Sequence, residues 1–422
     1  MKPFDPNTAD VELKTYLDCD ADLVSVAREF KILSLIEWPK HIQSDFLSSY
    51  TQGQPKIPVV NYPKYNHFEP LSKLEHIIQI TDTKHPIAQY LNQTAKSYFS
   101  AYKLVENLGQ PGMLQHSLDL YGRPSDKIAG TQFTSMDAAN FFIEIAAQFN
   151  EYFSLDTADV CVLAETIKSQ LDDAIKEVIT DDSVAVFVDD TLVPKAAAGV
   201  SRVRLRSGTC FSPFDFKQLL EHEVYVHTLT AINGKYQKNL KTLSLGSPRT
   251  TATQEGLATF AELVTASIDL NRLKRIALRV LAVDMALNGA NFIEIFEYFK
   301  KNGQSDAESY SSTQRIFRGG DPNGKIVFTK DSVYLGGLLH AHSFFRWAMK
   351  NQKLHLTEVM FSGRLTFDDA EMLSPFLESG LIIPPKYLPP WLSQIPILGG
   401  YLAFSLFANK INVSRLDKAF GQ

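Results

Sequence analysis

Hydrophobic spacing divides the chain into a helical first part, a short region of strand and a second helical part. From Asp20 to Leu35, apolar residues recur at helix-like intervals (Leu23, Val26, Phe30, Leu33) without a sharp stripe. Residues 45–70 are rich in Pro, Asn and Gln and predict an irregular connector. Helical patterns return at 86–107, 134–153 and 158–178. Ser183 to Val188 then reads as a buried strand. Val200 to Arg206 alternates, with Val203 and Leu205 on one face and Arg202, Arg204 and Arg206 on the other. Ser212, Pro213 and Asp215 mark a helix start, and Asn233-Gly234 predicts its stop. Thr251-x-x-Gln254 has the form of a capping box, which puts Glu255 in a first helical turn. A helix is expected over 269–287, and Asn291-x-x-Glu294 starts another. Residues 302–325 are polar and glycine-containing and predict a mobile loop. The stretch from Lys330 to Tyr334 leads into a helix that ends near Lys350. Ile395 to Ala408 is apolar, but at roughly fourteen residues it falls short of the twenty or so that cross a bilayer. It predicts a buried C-terminal helix, with an interfacial helix as the second reading.

The helix after Ser212 carries the chemistry. It contains His222-Glu223-Val224-Tyr225-Val226-His227, and Gln254-Glu255-Gly256-Leu257-Ala258 follows about one helix–turn–helix later. Two histidines, a glutamate after the first and a second glutamate at a helix start are the parts of a three-ligand zinc site. Zinc takes neutral imidazole and carboxylate ligands, and a hydrolytic site leaves the fourth position to water. The common protease spacing is His-Glu-x-x-His, at i and i+4. Here the histidines stand at i and i+5. In a regular helix five residues turn the chain by roughly 500°, leaving the two imidazoles about 140° apart. A π-type turn of about 4.4 residues brings them to within roughly 50°. Shared ligation therefore predicts a helix distortion between Glu223 and His227. The bland alternative is a pair of packed or surface histidines. The glutamate at a marked helix start weighs against it.

At these residues the sequence resembles the tyrosine/phenylalanine carboxypeptidase domain family. That family includes microtubule-associated tyrosine carboxypeptidases and bacterial flavohemoglobin expression-modulating QEGLA-motif proteins. A third block agrees: Arg315-x-x-Arg318-Gly319, then Phe328-x-Lys330-Asp331-x-x-Tyr334-Leu335-x-Gly337. The likeness runs from about 150 to 370, with weaker agreement at Pro58-Val59-Val60-Asn61-Tyr62. The resemblance implies that His222, His227 and Glu255 bind one Zn2+ per chain, that Glu223 is the catalytic carboxylate, and that a C-terminal aromatic residue is cleaved. Position 225 is often glycine in the family. Here it is Tyr225, expected to narrow the pocket or reset specificity. Tubulin is the target implied for eukaryotic relatives, and nothing in this chain points to it.

An exopeptidase must also hold a terminal carboxylate, best done by an arginine fork. Arg315, Arg318 and Lys330 are the candidates, against the plain alternative of surface charges. Tyr334 is a candidate donor to the oxyanion. His340 and His342, two residues apart, face different sides of a helix and are read as core or surface histidines.

Composition changes the picture little. The hydrophobic content of 45% and charged content of 21% are ordinary for a globular protein. A net charge of −5 argues against a nucleic-acid grip built on phosphate contacts. Cys19, Cys161 and Cys210 are few and widely spaced and read as buried thiols, not a disulfide framework. With no signal-like N-terminus, a reducing cytoplasm is expected.

The expectation is an α+β, mostly helical fold, with a zincin-like catalytic domain and a small sheet beside the zinc-binding helix. An N-terminal mainly helical region covers 1–150, the zinc carboxypeptidase catalytic domain 151–375, and a C-terminal apolar helical extension 376–422. The partner expected is the C-terminus of a peptide or protein, with no nucleic acid and no membrane span; oligomeric state stays open. Two rival readings use the same residues: a metal-binding regulatory protein without turnover, and a zinc endopeptidase.

Overall fold

The computed structural model describes residues 11–152, 161–180, 184–192 and 195–411. The first part is helical: α1 (Val11–Ala27), α2 (His41–Thr51), α3 (Phe68–Ile80), α4 (Pro86–Glu106), α5 (Pro111–Tyr121), α6 (Ser135–Tyr152) and α7 (Ala164–Val178). Three short strands follow: β1 (Ala185–Asp189), β2 (Ala196–Ala198) and β3 (Arg202–Arg206). The next helix, α8, runs over 215–236 and carries the histidines. Beyond it come α9 (Thr251–Val264), α10 (Leu270–Leu287), α11 (Phe292–Lys301), α12 (Asp306–Phe317), α13 (Val333–Lys350) and α14 (Ile395–Ala408).

The alternation in Arg202–Arg206 is seen directly, with Val203 and Leu205 buried. β3 is the central strand, parallel to β1 and antiparallel to β2. The arginine-bearing strand is therefore not an edge. The edge nearer α8 is β2, and Thr228 Oγ1 of α8 donates to the Gly199 carbonyl just after it, at 3.2 Å. One hydrophobic core takes Leu23 of α1, Leu91 of α4, Val203 and Leu205 of the sheet, Val224 and Val226 of α8, Phe260 of α9, Phe345 of α13 and Leu402 of α14. α8 is thus anchored by the sheet on one side and by helices on the other.

Several expectations need correction. Residues 302–325 contain α12, opened by a Ser305/Glu308 capping box, and are not a structureless loop. The connector over 45–70 begins inside α2. α8 continues past Asn233-Gly234 to Tyr236, because the Asn233 side chain bonds the backbone of Lys386 and Tyr387 instead of ending the helix. At Ser212 one half of the capping box forms: the Asp215 carboxylate accepts from the Ser212 N–H at 2.7 Å. At Thr251 none forms, since α9 is entered from a 3-10 turn and Gln254 bonds elsewhere. The capping box at Asn291/Glu294 is present as expected. Of the strand expected over 183–188, Ser183 lies outside the described residues.

Cys161 and Cys210 form a disulfide, with Cα atoms 4.8 Å apart beside an antiparallel bridge of Val162 and Phe211. Wide spacing in sequence hid the pair. Closing a loop of this length is worth on the order of 4 kcal/mol in the chain-entropy picture. Only Cys19 remains a buried thiol among the described residues. The reducing-cytoplasm expectation rested in part on unpaired thiols, and for Cys161 and Cys210 that part falls. No described helix is long and apolar enough to cross a membrane.

Candidate metal centre

The predicted distortion is present. α8 is α-helical over Asp215–Leu219, π-helical over Leu220–Thr228 and α-helical again over Leu229–Tyr236. The wider turn puts the His222 and His227 rings 4.9 Å apart, edge to face at 85°. An i, i+5 pair thus faces one point, as the rotation argument requires. Val224 and Val226 are fully buried and hold the opposite face of the helix in the core.

The third donor comes from α9, and glycine sets its position. A Cβ on Gly256 would lie 2.3 Å from the Gly337 carbonyl, and a Cβ on Gly337 would lie 2.4 Å from the Ala252 carbonyl. α9 and α13 therefore cross with backbones nearly in contact, which only glycine permits. Thr230 Oγ1 donates to Gln254 Oε1 at 2.9 Å and ties α9 to α8. Between these two fixings stands Glu255. Its Oε2 lies 3.5 Å from His222 Nε2 and 3.6 Å from His227 Nε2. Ligands about 2.0–2.1 Å from a tetrahedral zinc stand roughly 3.3 Å from one another, so the three residues fit such an ion. Among the described residues, this is the one group of three donors that could hold a metal, all within 4.8 Å.

Behind the first histidine is a second layer. His222 Nδ1 lies 2.7 Å from Glu262 Oε1 on α9. Arg272 of α10 donates to both Glu262 oxygens, at 3.1 and 3.3 Å. A carboxylate on Nδ1 keeps Nε2 free to ligate and raises its basicity. Burial opposes charge on His222, yet Glu255 and Glu262 outweigh it and lift its pKa to about 10. Burial also works against the Glu262 carboxylate, and Arg272 and His222 hold it below the usual range.

Glu223 is partly exposed, and among the described residues it has no hydrogen-bonding partner. Its neighbour Glu221 is buried on the other side, and burial pushes that carboxyl up to about 7. Tyr225 also points away: it is 5% exposed, sits in the main core and feels Glu221 and Glu177. The expectation that Tyr225 narrows the pocket is corrected. The π-turn that turns His222 and His227 together turns residue 225 inward.

On the far side of Glu255 lies a cluster of cations. Lys330 Nζ is 3.0 Å from Glu255 Oε1 and 5.3 Å from the centre of the Tyr334 ring. Arg315 grips both oxygens of the fully buried Asp331, at 2.6 and 2.7 Å, and its Nη2 reaches the Tyr334 hydroxyl at 3.4 Å. Arg318 lies over Phe328 and Arg279 over Tyr334. Their Nε atoms are buried without a hydrogen-bond partner. Burial and the nearby Arg315 lower both guanidinium groups to about 10. Tyr62 braces this wall from the N-terminal part, its hydroxyl accepting from the Gly319 N–H at 2.9 Å.

The structure thus gathers His222, Glu223, His227, Glu255, Arg315, Arg318, Lys330 and Tyr334 into one place. His340 and His342 are outside it, against Phe367 and Tyr401. Sequence reasoning missed Glu262, Arg272 and Arg279. The signal was there: Glu262 and Arg279 are lone charges inside apolar runs, Phe260 to Val264 and Ala277 to Leu281.

A mostly helical chain with a small mixed sheet, in which two imidazoles and a carboxylate converge beside an unpaired glutamate, defines a class: proteins built around a three-donor, metal-capable centre. Sequence comparison narrows it. The profile of the microtubule-associated tyrosine carboxypeptidases matches residues 44–410, and the chain belongs to that family. Membership gives carboxypeptidase activity at the level of the family, and with it a peptide or protein substrate. No curated protein matches the chain.

Proposed function

We propose that the chain is a zinc-dependent carboxypeptidase that removes one C-terminal Tyr or Phe. The observation that carries the reading is the convergence of His222, His227 and Glu255 within 4.8 Å, beside the unpartnered Glu223. Bound there, the metal would supply Lewis acidity to the scissile carbonyl and make a water more acidic.

The residues divide the remaining work. Glu223 accepts the proton of the attacking water and returns it to the leaving amine. Arg315 donates to the oxygen of Tyr334, which leaves the phenolic hydrogen free to bond the oxyanion. Arg318 and Arg279 hold unpaired buried N–H groups, the requirement for taking a terminal carboxylate. Arg315 and Lys330, engaged with Asp331 and Glu255, fix the wall on which that carboxylate rests. β2 offers an edge for an extended peptide.

The test uses purified chain carrying about one zinc, as the three-donor site requires. Peptides ending in Tyr or Phe are supplied as free acids and as C-terminal amides, and products are read by mass spectrometry. Free acids lose one residue and amides are inert. Internal cleavage of the amides would instead make the chain an endopeptidase. Bound zinc with no turnover of any peptide would make it a metal-binding regulator.

A further inference from the structure

α14 departs from the rest of the fold. It packs on α13 through Leu398 and Leu402, with Ser405 Oγ 3.3 Å from His342 Nε2 and Tyr401 against the His342 ring. Its outward side is apolar. Ile397 is 69% exposed, Phe404 74%, Phe407 66% and, just past the helix end, Ile411 52%. Residues 396, 397, 400, 401, 403, 404 and 407 are Pro, Ile, Gly, Tyr, Ala, Phe and Phe, all exposed. They cover an arc of about 160° with no polar side chain except the Tyr401 hydroxyl. Scattered exposed apolar residues need no explanation, but a continuous stripe does.

Charge along this part of the sequence is one-sided. Between Glu378 and Asp417 there is no acidic residue, while Lys386, Lys410 and Arg415 fall in that stretch of a chain whose net charge is −5. Arg346 lies one turn beyond His342 on α13 and acts on its charge; its Nε is buried without a partner. An uncharged apolar face that ends at the exposed Lys410, in a stretch of sequence free of acidic residues, matches the layering of an anionic bilayer surface: acyl chains below, headgroup charge beside. At about 1.5 Å per residue, fourteen residues reach only some 21 Å, so the helix can lie along the surface but not cross it.

We propose that α14 docks the protein onto anionic lipid, its Ile397/Tyr401/Phe404/Phe407 face set into the interfacial layer. The same α13 that carries His342 presents Tyr334 about 12 Å nearer its start. The docking itself does not depend on the peptidase reading.

The test is flotation of the full chain with vesicles of phosphatidylcholine alone and of phosphatidylcholine with phosphatidylglycerol in equal parts. The chain floats with the anionic vesicles and much less with the neutral ones. The triple variant Ile397→Gln, Phe404→Gln, Phe407→Gln changes only exposed positions, so it folds, and its binding falls at least about tenfold. Separately, Phe404→Trp gives a fluorescence blue shift on adding anionic vesicles. The proposal is overturned if the unaltered chain stays unbound with both vesicles, or if the triple variant floats as well as it does. It is equally overturned if Phe404→Trp shows no shift. A lipid-free dimer that the triple variant makes monomeric, without vesicle binding, would assign the face to a second copy of the chain.

Discussion

On one flank of the candidate metal centre, His222, Glu262 and Arg272 form a chain in which each polar group meets a partner. On the other flank, four cations (Arg279, Arg315, Arg318, Lys330) face two carboxylates, Asp331 and Glu255. Burial makes this difference matter. A buried ion that lacks a partner costs several kcal/mol, so a fold tends not to leave one without a reason. The balanced flank is complete as it stands and suits holding a ligand at a fixed angle. The unbalanced flank has room for one more negative charge, and a peptide's terminal carboxylate is one. Changes on the first flank should alter metal affinity without altering selectivity. Changes on the second should do the reverse.

The largest effect is expected between the flanks, at Glu223. Glu223→Gln keeps the shape and removes the proposed base. Zinc content should stay near that of the unaltered chain, while kcat falls at least about a hundredfold, the usual scale of general-base help. Metal analysis and peptide turnover on the same preparation check it. Normal turnover in this variant would remove Glu223 from the mechanism and leave the comparison without a centre.

What made Glu223 and the three candidate ligands legible from sequence was their type and order, together with the i, i+5 spacing. That spacing is incompatible with an ordinary helix, and the π-turn resolves it. The flanks were less legible because they are made by crossings. Glu262, near the end of α9, and Arg272, in the first turn of α10, meet across the turn that joins the two helices, ten positions apart. Arg279 reaches Tyr334 from a helix more than fifty positions earlier in the chain. Lys330 was visible as a charge in a motif, yet its bond to Glu255 depends on the glycine contact of α9 with α13. The disulfide was missed for a similar reason: Cys161 and Cys210 are brought together by an isolated bridge that no local pattern announces. α14 was legible as a helix. Its exposure was not, because periodicity shows that a run is apolar but not how much of it finds a partner.

The next effect sharpens the balanced flank. Glu262→Gln keeps a hydrogen-bond acceptor near His222 Nδ1 and removes its charge. Zinc affinity should fall about ten- to a hundredfold, as is typical for such supporting groups. In saturating zinc the ratio of free-acid to amide cleavage should stay unchanged. Competition with a chelator measures the first and peptide assays the second. A change in selectivity without a change in affinity would reverse the roles assigned to the two flanks.

A smaller effect tests the unbalanced side. Arg279→Gln and Arg318→Gln each remove one of the two cations proposed to share the substrate charge. Each should lower kcat/KM for the free acid roughly tenfold, the worth of one hydrogen bond to a charged group. Zinc content should hold, and cleavage of the amide, already slow, should hardly move. Combining the two should lose more than either alone. Loss of zinc in the single variants would mean that this flank supports the metal as well.

The smallest effect is expected at Tyr225, which lies between the two candidate ligand histidines in sequence and packs in the main core. Its ring is in the core, and burial raises the phenol to about 12. Tyr225→Phe keeps the ring and removes only the hydroxyl, so the packing behind His222 and His227 survives. The stability change should be within about 1 kcal/mol, and kcat/KM should shift by no more than about twofold on any peptide. The preference among peptides ending in Tyr, Phe or Leu should also be unchanged, because the Tyr225 ring packs in the main core. Thermal melting and a competition assay on mixed peptides settle both points. A changed preference would show that the residue reaches the pocket, and that the wall opposite the arginines includes α8 itself.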